Sequence, residues 1–197
     1  MIRNLKVLGL ALVAIFAMSA MVASAASAQQ GFLTSDGPFT IDGTDEEEFP
    51  STFTAFNRRV ECHGTYTGHK YNETPHKLIP NGATTVTVTP IYDDCLADGV
   101  SPATVTMNGC DYVLHLGETI EEDVYGGTTD IVCPGTNQIE IHAYSSSSHA
   151  TTICTIKVPA QNNLEGGYVH DLTNGEITLG GEIEGITASK TGVLCGG

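Results

Sequence analysis

Thr84–Pro90 reads TTVTVTP, and its strict alternation decides the class of fold. Val86 and Val88 fall on one side of an extended chain; Thr85, Thr87 and Thr89 fall on the other. That is the period of a strand with one face turned inward. β-Branched residues throughout strengthen the reading, because they pack well on a pleated surface and lose rotamer freedom in a helix.

The same pattern recurs on the C-terminal side. Ala103–Met107 (ATVTM) turns Ala103, Val105 and Met107 inward, and Cys110–Leu116 turns Cys110, Tyr112, Leu114 and Leu116. Ile139, Ile141 and Ala143 form another inward row, and Cys154, Ile156 and Val158 one more. No window after the first 28 residues has a helical period. Asn81-Gly82, Asp98-Gly99, Asn108-Gly109 and Pro134-Gly135 punctuate these segments as turns. Asn174-Gly175, between YVHDLT and EITLGG, is a hairpin signal. A two-residue loop there sets Thr173 opposite Glu176, Leu172 opposite Ile177 and His170 opposite Leu179. Short strands and frequent turns predict an all-β fold, an antiparallel β-sandwich, Ig-like or related, of about seven to nine strands. Less regular stretches are an entry strand at Phe39–Ile41, an acidic loop Asp42–Glu48, a long polar loop Cys62–Asn81, and a polar linker Ser145–His149.

On the N-terminal side, Arg3 and Lys6 precede a 12-residue apolar run, Val7–Met18. Ala23-Ser24-Ala25 and Ala26-Ser27-Ala28 then offer small-x-small cleavage sites. A spanning helix needs about 20 apolar residues, so residues 1–28 read as a signal peptide. Residues 29–197 are then one exported all-β domain with no membrane span. Cleavage after Ala28 would leave six basic against 23 acidic residues, a net charge of −17. Such a surface repels phosphate backbones and anionic lipid, which argues against nucleic-acid binding.

All six cysteines (Cys62, Cys95, Cys110, Cys133, Cys154, Cys195) follow the signal. An even count after an export signal predicts three disulfides. Six cysteines allow 15 connectivities; among them the favoured hypothesis is sequential pairing, Cys62–Cys95, Cys110–Cys133 and Cys154–Cys195. Paired, they leave no thiolate nucleophile. The nearest two stand 15 apart, unlike the close pairs of zinc sites.

The nearest approach to a chemical constellation is His63, His69 and His76, with Glu61 and Glu73 close by. Imidazoles and carboxylates on one loop suit Zn²⁺ or Cu²⁺, although no HExxH or HxH spacing is present. The plainer reading is a solvated loop with local hydrogen bonds. Asp42–Glu48 invites Ca²⁺ but lacks the EF-hand order, and a solvated charge run accounts for it. Asp93-Asp94 and Asp98 form a similar cluster. No G-x-S-x-G elbow is present, and adjacent His170 and Asp171 point to opposite faces of a strand. No cofactor is called for.

Thr65–Cys95, TYTGHKYNETPHKLIPNGATTVTVTPIYDDC, together with the alanine-rich leader, resembles a set of small secreted actinobacterial β-rich proteins with no assigned activity. The resemblance implies compartment and class alone. The expectation for function is a secreted, non-catalytic domain with a structural, surface-interaction or binding role toward an extracellular protein or cell-surface partner. The alternatives are a hydrolase built on histidine and carboxylate loop residues, and a metal-binding module at the 62–76 loop.

Overall fold

The computed structural model describes residues 41–45, 50–69, 82–121, 124–173, 176–193 and 195; for 69, 119, 121, 124, 168–173 and 176–182 it describes the backbone. The described chain is all-β. Its strands are β1 (Ile41–Thr44), β2 (Ser51–Ala55), β3 (Arg58–His69), β4 (Thr85–Ala97), β5 (Ser101–Thr106) and β6 (Asp111–Glu121). They continue with β7 (Val124–Val132), β8 (Ile139–Tyr144), β9 (Thr152–Val158), β10 (Gln161–Thr173), β11 (Glu176–Ile183) and β12 (Ser189–Thr191). Twelve strands exceed the expected seven to nine. Part of the excess is β3 and β7, where glycine and tyrosine interrupt the inward aliphatic residues and make the alternation faint; β2 and β12 are short, five and three residues.

Every described pairing is antiparallel. Hydrogen bonds run along β11-β10-β7-β6-β4-β5-β8-β9-β12, while β3 branches from β4 and carries both β1 and β2. The β4–β5 link is short, two residue pairs beside the Asp98-Gly99 turn. It joins a larger ladder ending in β10 and β11 to a smaller one of β5, β8, β9 and β12. One buried cluster draws on both: Val60, Ile131 and Leu164 from the first, Val105, Ile141 and Ile156 from the second. A second cluster, Val86 and Val88 with Ile41, Tyr66, Leu114 and Leu116, lies on the same face of the larger ladder.

Register fixes the two faces of that ladder. Val86, Leu114, Thr129 and Leu164 stand opposite one another in sequence across β4, β6, β7 and β10, and form an inward row. One residue along, Thr85, His115, Thr128 and Glu165 form the outward row. Thr87 and Val113 are also outward-facing, yet only 3% and 1% exposed. The threonine face of the TTVTVTP segment is therefore not simply solvated. Among the described residues, Thr87 Oγ1 is the buried side-chain polar atom without a hydrogen-bond partner.

Several expectations meet the structure directly. The three disulfides pair as Cys62–Cys95, Cys110–Cys133 and Cys154–Cys195. Cys62 and Cys95 are cross-strand neighbours on β3 and β4, beside a bulge where Asp94 takes φ 50°. That extra residue returns Cys95 and Ala97 to the inward face after the odd-numbered outward run of β4. Cys110 and Cys133 continue the β6–β7 register one step beyond its last pair. Cys154, on β9, holds Cys195 after β12. The β10–β11 register sets Thr173 opposite Glu176, Leu172 opposite Ile177 and His170 opposite Leu179, as a two-residue loop requires; residues 174–175 lie outside the described residues.

The polar loop expected over Cys62–Asn81 is corrected in its first part. β3 runs to His69, and its inward residues Val60, Cys62, Gly64, Tyr66 and Gly68 alternate behind a polar outer set. Two glycines in that inward set lower its hydropathy and disguise the strand. Asp42–Thr44, expected to open an acidic loop, belong to β1.

Candidate functional site

Two members of the histidine set, His63 and His69, are held apart by β3. His63 and His69 lie six residues apart on β3, a backbone span of about 20 Å. One ion does not bridge two imidazoles at that separation. His63 is exposed and its Nε2 lies 3.1 Å from Thr44 Oγ1. His76 lies outside the described residues. No group of three or more His, Cys, Asp or Glu side chains among the described residues is placed to hold a metal.

The acidic residues that are described are largely structural. Asp45 Oδ2 accepts the backbone N–H groups of Ser51 and Gly64, both at 2.8 Å, and its Oδ1 accepts the Tyr66 hydroxyl at 2.9 Å. One carboxylate thus anchors β1 and β2 to the same edge of β3. Tyr66 also meets Ser51 Oγ, and burial pushes its pKa up to about 12. Tyr92, ring-to-ring with Tyr66 and Phe53, is raised well above the ordinary tyrosine range by burial. Asp98 accepts from the Arg59 backbone N–H and from the Arg58 guanidinium, and these hold its carboxyl below the usual range.

The outer faces of both ladders carry ordered cross-strand polar sets. On the larger ladder, His115 Nε2 lies 3.0 Å from Asp130 Oδ2, and its Nδ1 3.3 Å from Thr85 Oγ1. A carboxylate accepts, so Nε2–H donates to Asp130, while Nδ1 and the Thr85 hydroxyl share the second hydrogen bond. On the smaller ladder, Thr155, His142, Glu140 and Lys157 are linked the same way. Thr89 donates to Asp111 at 2.6 Å. Cross-strand pairs of this kind satisfy one another and brace the sheet.

One region of the outer face differs. Between Gln161 and Leu164 the β10–β7 register slips, and Asn162 and Asn163 form a bulge in which Asn163 takes φ 55°. Asparagine tolerates that left-handed backbone better than other residues with a side chain. Asp130 Oδ1 accepts the Asn163 N–H at 2.7 Å, so the carboxylate that His115 orients also fixes the bulge. Gln161 clamps the segment after β11: its Nε2 donates to Thr187 O at 2.8 Å, and its Oε1 accepts the Thr187 N–H at 2.6 Å. Glu184 N–H donates to Glu165 O at 3.0 Å, extending the β10–β11 ladder by one pair.

Beside these contacts lies an open groove of about 540 Å³ lined by Asn162, Asn163, Leu164 and Glu165 of β10 and by Glu184 and Gly185 after β11. Its volume falls within the range of ligand sites, roughly 300–1,000 Å³. Glu165 and Glu184 stand directly opposite each other on one face, where like charges repel. No described side chain pairs with either carboxylate. Sequence reading did not find this site. Its one local signal is Gln161-Asn162-Asn163, an amide run at the head of a strand; Glu165 and Glu184 are 19 residues apart and meet only through the hairpin.

No family model matches this chain, and neither the curated proteins nor the solved structures include a match.

Proposed function

We propose that this protein is an exported, non-catalytic binding domain, a two-layer sandwich whose outer face presents the β10 groove to an extracellular partner. The observation that carries the reading is a contrast on one face. The polar groups of Thr85, His115, Asp130, Thr89 and Asp111 are committed to one another, whereas the groove side chains of Glu165, Glu184 and Asn162 have no partner among the described residues. Uncommitted polar groups converging on a concavity are what a binding site offers a ligand.

Export is supported by the signal-like leader and by three disulfides, which persist in oxidising compartments. Among the described residues no helix is long and apolar enough to cross a membrane. The sandwich is supported by a single buried cluster to which both ladders contribute.

The test is recovery of partners from the native culture surface and medium on immobilised protein, comparing the native chain with an Asn162→Ala/Glu165→Gln/Glu184→Gln variant. A partner retained by the native chain and lost from the variant is the expected result. Equal recovery by both would remove the groove from the reading.

The hydrolase alternative draws on the Thr85–His115–Asp130 series, a hydroxyl on one ring nitrogen and a carboxylate on the other. Turnover of p-nitrophenyl esters by the native chain, abolished in His115→Ala, would favour it. Two strands, β7 and β6, separate the groove on β10 from Thr85 on β4, so a ligand bound there would not reach that hydroxyl.

A further inference from the structure

We infer that β12 is a redox-released strap: the Cys154–Cys195 disulfide shuts it over the outer edge of β9, and a dithiol reductant opens it. The device is separate from the β10 groove and holds whether or not that groove binds a partner.

β12 is three residues long, all exposed, and closes its end of the ladder, paired to β9 at Thr155, Ile156 and Lys157. So short an exposed strand does not hold itself. Its hydrogen bonds exchange for bonds to water and do not offset the backbone freedom lost in ordering it. The chain before it is fixed by other means: Gln161 clamps both backbone groups of Thr187, and Ala188 packs against the core. The chain after it turns at Gly192, φ 121°, close against β9. A Cβ at that position would lie 2.6 Å from Ile153 O and 3.0 Å from Cys154 Cα. That turn returns Cys195 to Cys154, on the strand that β12 covers. The strap is thus hinged at Thr187 and pinned beyond Val193 by a covalent bond. Lys190 Nζ, 4.7 Å above the Phe56 ring, adds a weaker contact.

The other two disulfides have no such lever. Cys62–Cys95 lies within the long β3–β4 ladder, and Cys110–Cys133 continues the β6–β7 ladder. Extended pairing keeps those strands together with the sulfurs apart. What the strap covers is a strand edge. β9 reads TICTIKV, alternating and rich in β-branched residues, and its bared N–H and C=O groups would template pairing with another chain. In an oxidising exterior that edge stays sealed. A dithiol opens it in two exchanges. One thiolate attacks a sulfur of the pair and expels the other as a thiolate, which takes up a proton. The reagent's second thiolate then displaces the remaining cysteine, leaving two thiols on the protein and a cyclic disulfide on the reagent.

The experiment compares backbone NMR order parameters of the full oxidised chain with those of Cys154→Ser/Cys195→Ser. In the native chain Ser189–Val193 should be rigid, at about 0.85; in the variant they should fall below about 0.6 while β3, β4, β6 and β7 keep their native values. Dithiothreitol on the native chain should mobilise the same residues once alkylation and mass mapping show Cys154 and Cys195 reduced. A strap that stays rigid in the variant, or after both cysteines are labelled, would overturn the inference. Order lost throughout the sheet would overturn it as well, because the bond would then hold the domain rather than the strap.

Gly192→Ala tests the device with both cysteines in place. Its Cβ forces the turn away from β9, so dithiothreitol should reduce Cys154–Cys195 about tenfold faster than in the native chain, through a strap that opens more often. The rate at Cys62–Cys95 should stay within about twofold of native, since its ladder is untouched. Equal rates at Cys154–Cys195 in the two chains would show that the strap does not guard the bond, and the inference falls.

Discussion

The disulfide-braced core and the β10 groove are held by opposite means. In the core, all six cysteines belong to or pack against one cluster in which Cys110 is fully buried, and covalent bonds close chain separations of 33, 23 and 41 residues. At the groove, shape depends on hydrogen bonds among Asp130, Asn163, Gln161 and Thr187. The difference teaches that durability and recognition are separable here. Covalent bracing secures the frame, so the outer face is free to carry an unfavourable pair of carboxylates. Breaking each region on its own should therefore move different observables.

The largest effect is expected from the frame. Replacing Cys62 and Cys95 with alanine should lower unfolding free energy by about 2–4 kcal/mol, since the unfolded chain regains the freedom of a 33-residue closure. Denaturant unfolding of the otherwise oxidised protein measures it. A loss below about 1 kcal/mol would mean that packing, not covalency, secures this edge.

Next in size is Gly64→Ala. A Cβ there would lie 2.5 Å from the Tyr66 hydroxyl and 2.8 Å from Asp45 Oδ2, inside the junction that holds β1 and β2 to β3. A cost of about 1–3 kcal/mol is expected from overpacking. Adding Tyr66→Phe removes the nearest atom, so the double variant should cost less than the sum of the two single changes. Strict additivity would show that the junction does not act as a unit.

At the groove, Asp130→Ala removes the acceptor for Asn163 N–H and the partner of His115. About 1–2 kcal/mol of stability should go with it. The sharper readout is amide hydrogen exchange, which should accelerate at Asn163 while the amides around Cys62 and Cys95 keep their protection. Uniform acceleration would erase the distinction between the two regions.

The smallest effect is electrostatic. Asp98 has its carboxyl held below the ordinary value of 3.8 by the Arg59 N–H and then the Arg58 guanidinium. A depressed folded-state pKa contributes stability present above the unfolded value and lost as pH falls through the folded one. Asp98→Asn should therefore cost a few tenths of a kcal/mol near neutral pH, as exposed pairs do, and nothing well below pH ~3. Asparagine keeps the backbone comfortable, since position 98 has φ 50°. Urea midpoints from about pH 2 to 7 test it; a difference that persists unchanged to the lowest pH would assign the effect to structure rather than charge.

Legibility in the sequence followed the chemistry of the inward residues. Thr85–Pro90, Ala103–Thr106 and Ile139–Ala143 announce themselves because valine, isoleucine and threonine alternate without interruption. β3 does not, because Gly64 and Gly68 occupy inward positions where the chain packs against Tyr66, Asp45 and Ile41. The histidines drew attention as a residue type, but a strand separates His63 from His69 by distance that a loop would not impose. Asp45 was legible as a charge and not as an anchor, because its three partners come from two other strands.

By itself the sequence determined the all-β class and the β10–β11 register, since each follows from local alternation or turn residues; the cysteine partners were fixed only when strand register set them side by side. The tertiary structure alone decided which polar side chains are spent on one another and which are left facing a groove. Glu165 and Glu184 become neighbours only when a hairpin folds back, and Asp130 reaches Asn163 only across a bulged strand pair. Such contacts depend on register between distant segments, which no local pattern encodes.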